Sequence, residues 1–422
     1  MKNIRASLDW KYYIPLYLIF ISLLLFASRD YQAAQSSPIT LANLHRVVSI
    51  LLEIGFIIFY FLKRQYIKKI PYTLLFYGVY ILIGMISALL YSPNFLYDMW
   101  KLTELISLFL LGVYIWSVSN GNIRVILLFF DKVILFIEFL LLSVIISVVI
   151  NPHEAIQTLQ FGEVAVLPFR IQGTIIIINA LSVGALSAII LFYKIIEVSY
   201  SNKYRFLSSS TIWIFLSIIL LITSQSRTSI IGLLLVFFIY YFFINKAGFY
   251  KRFFLTLFGI PILVFITPYF TSFIQRGNSS EVIGSLSGRT EWWMFAWKKF
   301  VNADLLQQLV GFGFASAERK TANESSHGVM NTLDSTYLSS LMSTGAIGTF
   351  ILLLLVLYVN YQLFKKAKEN KQQYFYIQAF GFMTIITLKT ITTGTVNILT
   401  YYSLFFIILI LLSQGKNTKE NL

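Results

Sequence analysis

Three arginines and one aspartate are the residues of this chain whose type and setting could do chemistry. Arg170, Arg227 and Arg289 each stand beside small or polar residues, at the edge of an apolar stretch or in the longest polar segment. A guanidinium matches phosphate oxygens through paired N–H donors. A lipid-linked diphosphate sits at that depth, and neutralising its charge takes more than one arginine. A single arginine near a bilayer surface is most often a snorkelling anchor, so the argument rests on the set rather than on any member. Arg227 has the richest setting: Thr223-Ser224-Gln225-Ser226-Arg227-Thr228-Ser229 breaks an apolar stretch with hydroxyls that can donate to an anion. A plain hairpin turn would draw on Gly, Asn or Pro instead. Asp334, followed by Ser335, Thr336 and Tyr337, is the candidate acid or base, and it could equally cap the next helix. His327 is the histidine of the longest polar segment, while His45 and His153 lie elsewhere. Glu291 and Glu318 are further carboxylates there without a distinguishing context. No HExxH, P-loop, GxSxG or paired metal-ligand spacing occurs. The expected chemistry therefore uses no metal and no cofactor.

The elements that must position these residues are membrane helices. Of 422 residues, 57% are hydrophobic and 12% charged. Apolar runs of about 17–25 residues recur, the length that crosses the hydrocarbon as helix. The fold class is an all-α polytopic integral membrane protein of about twelve transmembrane helices. The expected spans are 12–28, 44–62, 72–91, 102–119, 125–150, 172–193, 211–223, 228–244, 253–270, 341–363, 374–391 and 398–413. The net charge of +15 is mostly topology, not nucleic-acid binding. With a cytoplasmic N-terminus, most basic residues fall in short cytoplasmic connections, such as Lys63, Arg64, Lys68, Lys69 and Lys365–Lys371. The short outer loops hold only Arg29, Arg46, Lys101, Arg170, Arg227 and Lys389. Both termini then face the cytoplasm, and the long polar segment faces outward. No small-residue cleavage site follows the first apolar run, which reads as a retained span. There is no cysteine, so neither disulfides nor thiolate metal sites are available.

Three parts follow: transmembrane helices 1–9 over 1–270, a large extracytoplasmic loop subdomain over 271–340, and transmembrane helices 10–12 with a cytoplasmic tail over 341–422. Within the loop, Ser287 or Thr290 could cap a helix from Glu291 to about Val301. Trp292, Trp293 and Trp297 leave that helix little polar face, which suits an interfacial depth or stacking on sugar rings. Charges inside the expected spans include Glu53, Glu104, Asp131 and Lys389. Glu104 lies one turn from Lys101, and local pairing explains most of them.

Together these pieces resemble the O-antigen polymerase and O-antigen ligase superfamily of bacterial envelope glycosyltransferases over about residues 165–350. Arg170-Ile171-Gln172-Gly173, with Asn179 and Gly184, matches its Arg-x-x-Gly segment. Ser226-Arg227-Thr228 matches its Ser-Arg turn, and Gly288-Arg289-Thr290-Glu291-Trp292-Trp293 its Gly-Arg-x-x-x-Trp. Gly311-Phe312-Gly313 matches its Gly-x-Gly. Asp334-Ser335 and Gly345-Ala346-Ile347-Gly348 match its last motif, in which the ligase branch has a histidine where this chain has Asp334.

The resemblance implies a donor glycan on undecaprenyl diphosphate, transferred to a sugar hydroxyl of a second lipid-linked unit. Polymerase is the expectation, with Arg227 and Arg289 on the diphosphate, Arg170 at the outer mouth and Asp334 as base. Trp292, Trp293, His327 and Tyr337 are the expected substrate contacts. The partners are then the undecaprenyl-diphosphate-linked oligosaccharide as donor and acceptor, the lipid bilayer, and a chain-length-regulating membrane protein, with no nucleic acid. The alternatives are an O-antigen ligase acting on lipid A–core and, from another class, a lipid-linked oligosaccharide flippase. A flippase would carry internal repeats, and none is seen.

Overall fold

The computed structural model describes residues 8–24, 41–64, 69–158, 169–201, 208–245, 289–326, 332–370 and 372–416. Among them the chain is almost wholly helical. Eight helices are long and apolar enough to cross a membrane: Leu44–Lys63, Tyr72–Tyr91, Phe95–Ser119, Ile123–Ile150, Ala180–Tyr200, Arg227–Ile244, Thr336–Glu369 and Tyr374–Thr392. Ser209–Ser224 and Tyr401–Gln414 are apolar but shorter. Large apolar side chains such as Leu52, Phe59, Phe76 and Leu89 are exposed on these helices, the pattern of surfaces that face lipid rather than water. The expected span 253–270, and with it Ser287 and His327, lie outside the described residues.

Three expected spans begin well away from their expected starts, and at two of them a side-chain cap that an apolar window does not register sets the start. The span expected from 172 begins at Ala180. Residues before it close a turn, with Gly173 N–H donating to the Ile178 carbonyl at 2.9 Å, and Asn179 Oδ1 accepts the Ser182 N–H at 2.8 Å. The span expected from 102 begins at Phe95, where Asn94 accepts the Tyr97 N–H. The span expected from 341 begins at Thr336 and runs to Glu369, with one break at Gly345 (φ 65°, ψ −167°). A two-stranded antiparallel ribbon, Ile156–Thr158 against Phe169–Ile171, was not expected, because three-residue strands are too short to show alternation.

The described chain divides into two compact units. The first comprises Met1–Glu138, Trp293–Gln362 and Thr390–Leu422. Its core is the Tyr401–Gln414 helix, buried on every side from Tyr402 to Ser413 and begun by a capping box between Thr400 and Ser403. The Tyr72–Tyr91 and Phe95–Ser119 helices pack on it.

The second unit comprises Phe139–Trp292 and Leu363–Lys389. There the Ala180–Ser201 helix packs against Ser209–Ser224 and Arg227–Ile239. Phe192 fills the notch at Gly381, where a Cβ would lie 2.1 Å from its ring.

Candidate functional site

In the second unit the ribbon and the serine-rich turn meet. Gln225 adopts a left-handed conformation (φ 51°) that ends the Ser209–Ser224 helix, and its Nε2 donates to the Phe169 carbonyl at 2.5 Å. The next residue of that strand is Arg170, whose Nε donates to Gln157 Oε1 across the ribbon at 2.7 Å. Burial pushes the Arg170 guanidinium down from its ordinary value. Two residues beyond Gln225, Arg227 opens the next helix, with Ser226 at the N-cap and its hydroxyl 2.6 Å from that of Ser229. Arg227 Nε is buried and has no hydrogen-bond partner among the described residues. Gly184 allows the turn to approach, since a Cβ there would lie 2.4 Å from Ser226 Cβ and 2.5 Å from Ser224 Oγ. Two arginines, a hydroxyl cluster and a helix N-terminus thus belong to one junction, and each feature favours an anion.

Arg289 is the first residue of the Arg289–Val301 helix and is half-buried, as is Trp292. The helix starts two residues earlier than expected, so Thr290 lies inside it rather than capping it. Met294, Phe295, Trp297 and Val301 are exposed along it.

The first unit holds Trp293, Asp334 and Tyr337. Trp293 Nε1 donates to the Leu333 carbonyl at 2.9 Å, so this indole fixes the chain just before Asp334. Asp334 is half-buried in a left-handed conformation (φ 49°) and accepts a hydrogen bond from Thr332 Oγ1 at 3.0 Å. The helix after it starts at Thr336, so Ser335 and not Asp334 holds the position before the first helical residue. Thr390 Oγ1 donates to the Tyr337 hydroxyl at 3.0 Å.

Two glycine motifs interlock beneath this segment. The Phe312 N–H donates to the Met342 carbonyl at 2.9 Å. A Cβ on Gly311 would lie 2.7 Å from the Ser343 backbone, and one on Gly345 would lie 2.4 Å from that of Leu309. Gly313 donates its N–H to Ser87 Oγ at 3.0 Å, and Phe314 seats against Gly84. Gly311-Phe312-Gly313 therefore docks the loop onto the break at Gly345, a backbone-to-backbone role rather than a cradle for ligand.

Glu318 had no distinguishing context in the sequence, and the structure supplies one. It is buried, its Oε1 accepts the Leu333 N–H at 3.2 Å and its Oε2 accepts the Ser339 hydroxyl. Asn397 Nδ2 in turn donates to Ser339 Oγ at 2.6 Å. This network holds Asp334 from both sides. Its partners lie fifteen and twenty-one positions away in sequence, so no local spacing could reveal it. Burial, with the Asp334 charge adding, pushes the Glu318 carboxyl from 4.5 up to about 7. Between those values the folded protein keeps a proton that the unfolded chain has released. Stability should fall as pH rises through that window, by up to roughly 3 kcal/mol. Thermal unfolding in detergent from about pH 5 to about pH 8 checks this. The midpoint is expected to drop for wild type and to stay flatter for Glu318→Gln; parallel profiles would contradict it. Asp98, missed in the sequence, accepts the Ser316 N–H at 2.6 Å and the Ser316 hydroxyl at 2.7 Å, capping the Ala315–Ser325 helix from another helix.

Residues 212–353 match the family model described as O-Antigen ligase. The match takes in Arg227, Arg289, Asp334 and both glycine motifs, and Arg170 lies outside it. No curated protein matches the chain.

Proposed function

We propose, from the premise that residues 212–353 form a domain of the O-antigen ligase/polymerase-like superfamily, that this multi-pass membrane protein is a polysaccharide polymerase. It joins oligosaccharide repeat units carried on undecaprenyl diphosphate, on the outer side of the inner membrane. The observation that carries the reading is Arg227: a buried guanidinium N–H with no hydrogen-bond partner among the described residues, at a hydroxyl-rich helix start tied to the strand of Arg170. An unmet buried donor costs about 1–3 kcal/mol, which a phosphate oxygen would recover.

On this reading Arg227 and Arg289 hold the donor diphosphate, and Arg170 assists. An acceptor hydroxyl attacks the anomeric carbon of the donor sugar. The bond from that carbon to the phosphate oxygen breaks, and undecaprenyl diphosphate leaves with the electron pair. The arginines offset charge growing on the leaving group, an interaction strongest in the transition state. Asp334 orients the acceptor hydroxyl and takes its proton. Trp292, His327 and Tyr337 serve as sugar contacts. The large loop subdomain over 271–340 carries several of these residues to the outer face.

The ligase reading draws on the family's own description, while Asp334, at the place of the ligase histidine, favours polymerase. A glycan gel of a strain lacking the gene separates the two. Surface glycan should carry a single repeat unit, with a ladder restored by wild type and not by Arg289→Ala. A ladder that persists on the lipid carrier would instead identify a ligase. Unchanged glycan would overturn both and return the flippase to the front.

A further inference from the structure

Glu318 accepts through both carboxyl oxygens, from the Leu333 N–H at 3.2 Å and from the Ser339 hydroxyl. Ser339 Oγ in turn accepts from Asn397 Nδ2 at 2.6 Å. All three side chains are buried, and all belong to the first unit. With every proton pointing towards Glu318, this is the arrangement of an ionised carboxylate. It leaves one acceptor unmet: Asn397 Oδ1 is buried and has no hydrogen-bond partner among the described residues.

A proton on Glu318 Oε2 changes what the chain needs. The acid becomes a donor to Ser339 Oγ, so Ser339 must send its own hydroxyl elsewhere. Rotating the Asn397 amide about its last bond brings Oδ1 to Ser339 in place of Nδ2, and the unmet acceptor is satisfied. The Leu333 N–H keeps Oε1 in both arrangements. The chain is complete in the neutral arrangement and reverses as the proton leaves. Burial already pushes the Glu318 carboxyl up to about 7.

The charged and titratable groups around Glu318 come from several elements. They are Asp334, Tyr80, Tyr97, the Asp98 carboxylate on Ser316, and the Lys299–Glu324 pair. Arg319 and Lys320 follow it on its own helix. Arg46, Lys101 and Glu104 form a group of their own beyond Asp98. Residues 336–364 and 393–400 carry no charged side chain. No histidine stands among these groups, and His327 lies outside the described residues.

We propose that Glu318 is a positioning residue for Asp334, and that the proton on Glu318 sets how fast transfer runs. The inference rests on the reading of Asp334 as base. The charge of ionised Glu318 repels that of Asp334, and the repulsion ends as Asp334 takes the acceptor's proton. Ionised Glu318 thus favours the transition state over the ground state. It also holds the Leu333 N–H, just before Asp334, by a charge-assisted bond. Transfer should therefore rise with pH through about 7, while stability falls over the same range. A carboxylate with a structural role alone would make the two fall together.

Full-length protein in nanodiscs, as wild type and as Glu318→Gln, is titrated from about pH 5.5 to about pH 8 by infrared difference spectroscopy. Wild type should show a carboxylic-acid carbonyl band that disappears through about pH 7, and Glu318→Gln should lack it. Such a band cannot come from a histidine titrating in the same range. Release of undecaprenyl diphosphate from the repeat-unit donor, isolated from a strain lacking the gene, is followed over the same pH values. Wild type should accelerate by about tenfold, within reach of two carboxylates repelling inside a protein. The Glu318→Gln amide copies the neutral arrangement, so the variant should stay flat near the low-pH wild-type rate, with KM unchanged. The band and the opposed trends of rate and melting in wild type need no variant to fold. Three results would overturn the proposal and leave Asp334 as base: no titrating band, a wild-type rate that falls with the melting point, or a pH step that survives in folded Glu318→Gln. Asp334→Asn transferring like wild type would overturn the base and this inference together.

Discussion

Arg227→Gln is expected to stop chain growth while leaving the protein in the membrane and no less stable. Arg227 Nε is buried without a hydrogen-bond partner among the described residues, so removing the guanidinium gives up no described bond at that atom. Relief of an unmet donor contributes about 1–3 kcal/mol in favour of the variant fold. Transfer should nonetheless fall by about 10²–10³-fold, the effect of removing one preorganised donor from a developing anion. Arg227→Lys keeps the charge and loses the paired-donor geometry, so it should fall between the two. Polymer length on a glycan gel, with membrane content by immunoblot and melting in detergent, reads all three quantities. Wild-type ladders from Arg227→Gln would remove this residue from the mechanism. A lowered melting point with lost polymer would make Arg227 structural instead.

The second large effect is on assembly. Gly345→Ala puts a side chain at φ 65° and ψ −167°, a region nearly exclusive to glycine, at a cost of about 1–3 kcal/mol. The added Cβ would also lie 2.4 Å from the Leu309 backbone, which cannot rotate away as a side chain could. Overpacking of this kind costs a further ~1–3 kcal/mol. Against a total stability of about 5–15 kcal/mol the sum is large. The Gly311-Phe312-Gly313 segment should lift from the Thr336–Glu369 helix, and the setting of Asp334 would loosen with it. Size-exclusion in detergent should show a smaller monodisperse fraction and a lower melting point than wild type. Gly394→Ala, where a Cβ would have no neighbour nearer than 3.8 Å, is the control expected to behave as wild type. Equal behaviour of Gly345→Ala and Gly394→Ala would contradict the interlock.

Membrane helices were legible because lipid leaves the backbone no partner but itself, so hydropathy alone reports them. Their ends were less so. Asn94, Asn179 and Ser208 start helices through single side-chain bonds, and an averaging window passes over them. Glu104 and Lys101 could be paired from their spacing, since residues three apart face each other on a helix. Arg46 could not, because it arrives from another helix. The glycine motifs were visible as motifs, yet their role depends on two backbones more than thirty residues apart in sequence touching, which no motif states. Glu318 was hidden for the same reason. It looked like any loop carboxylate, and only Leu333 and Ser339 give it meaning.

The most direct measurement uses purified protein in nanodiscs supplied only with its repeat unit on undecaprenyl diphosphate. The products are followed by gel and by release of undecaprenyl diphosphate. A ladder, with one diphosphate lipid freed for each bond formed and neither product from Arg227→Gln, is the predicted result. Intact repeat units with no diphosphate lipid released, under conditions where the protein is folded, would contradict the account.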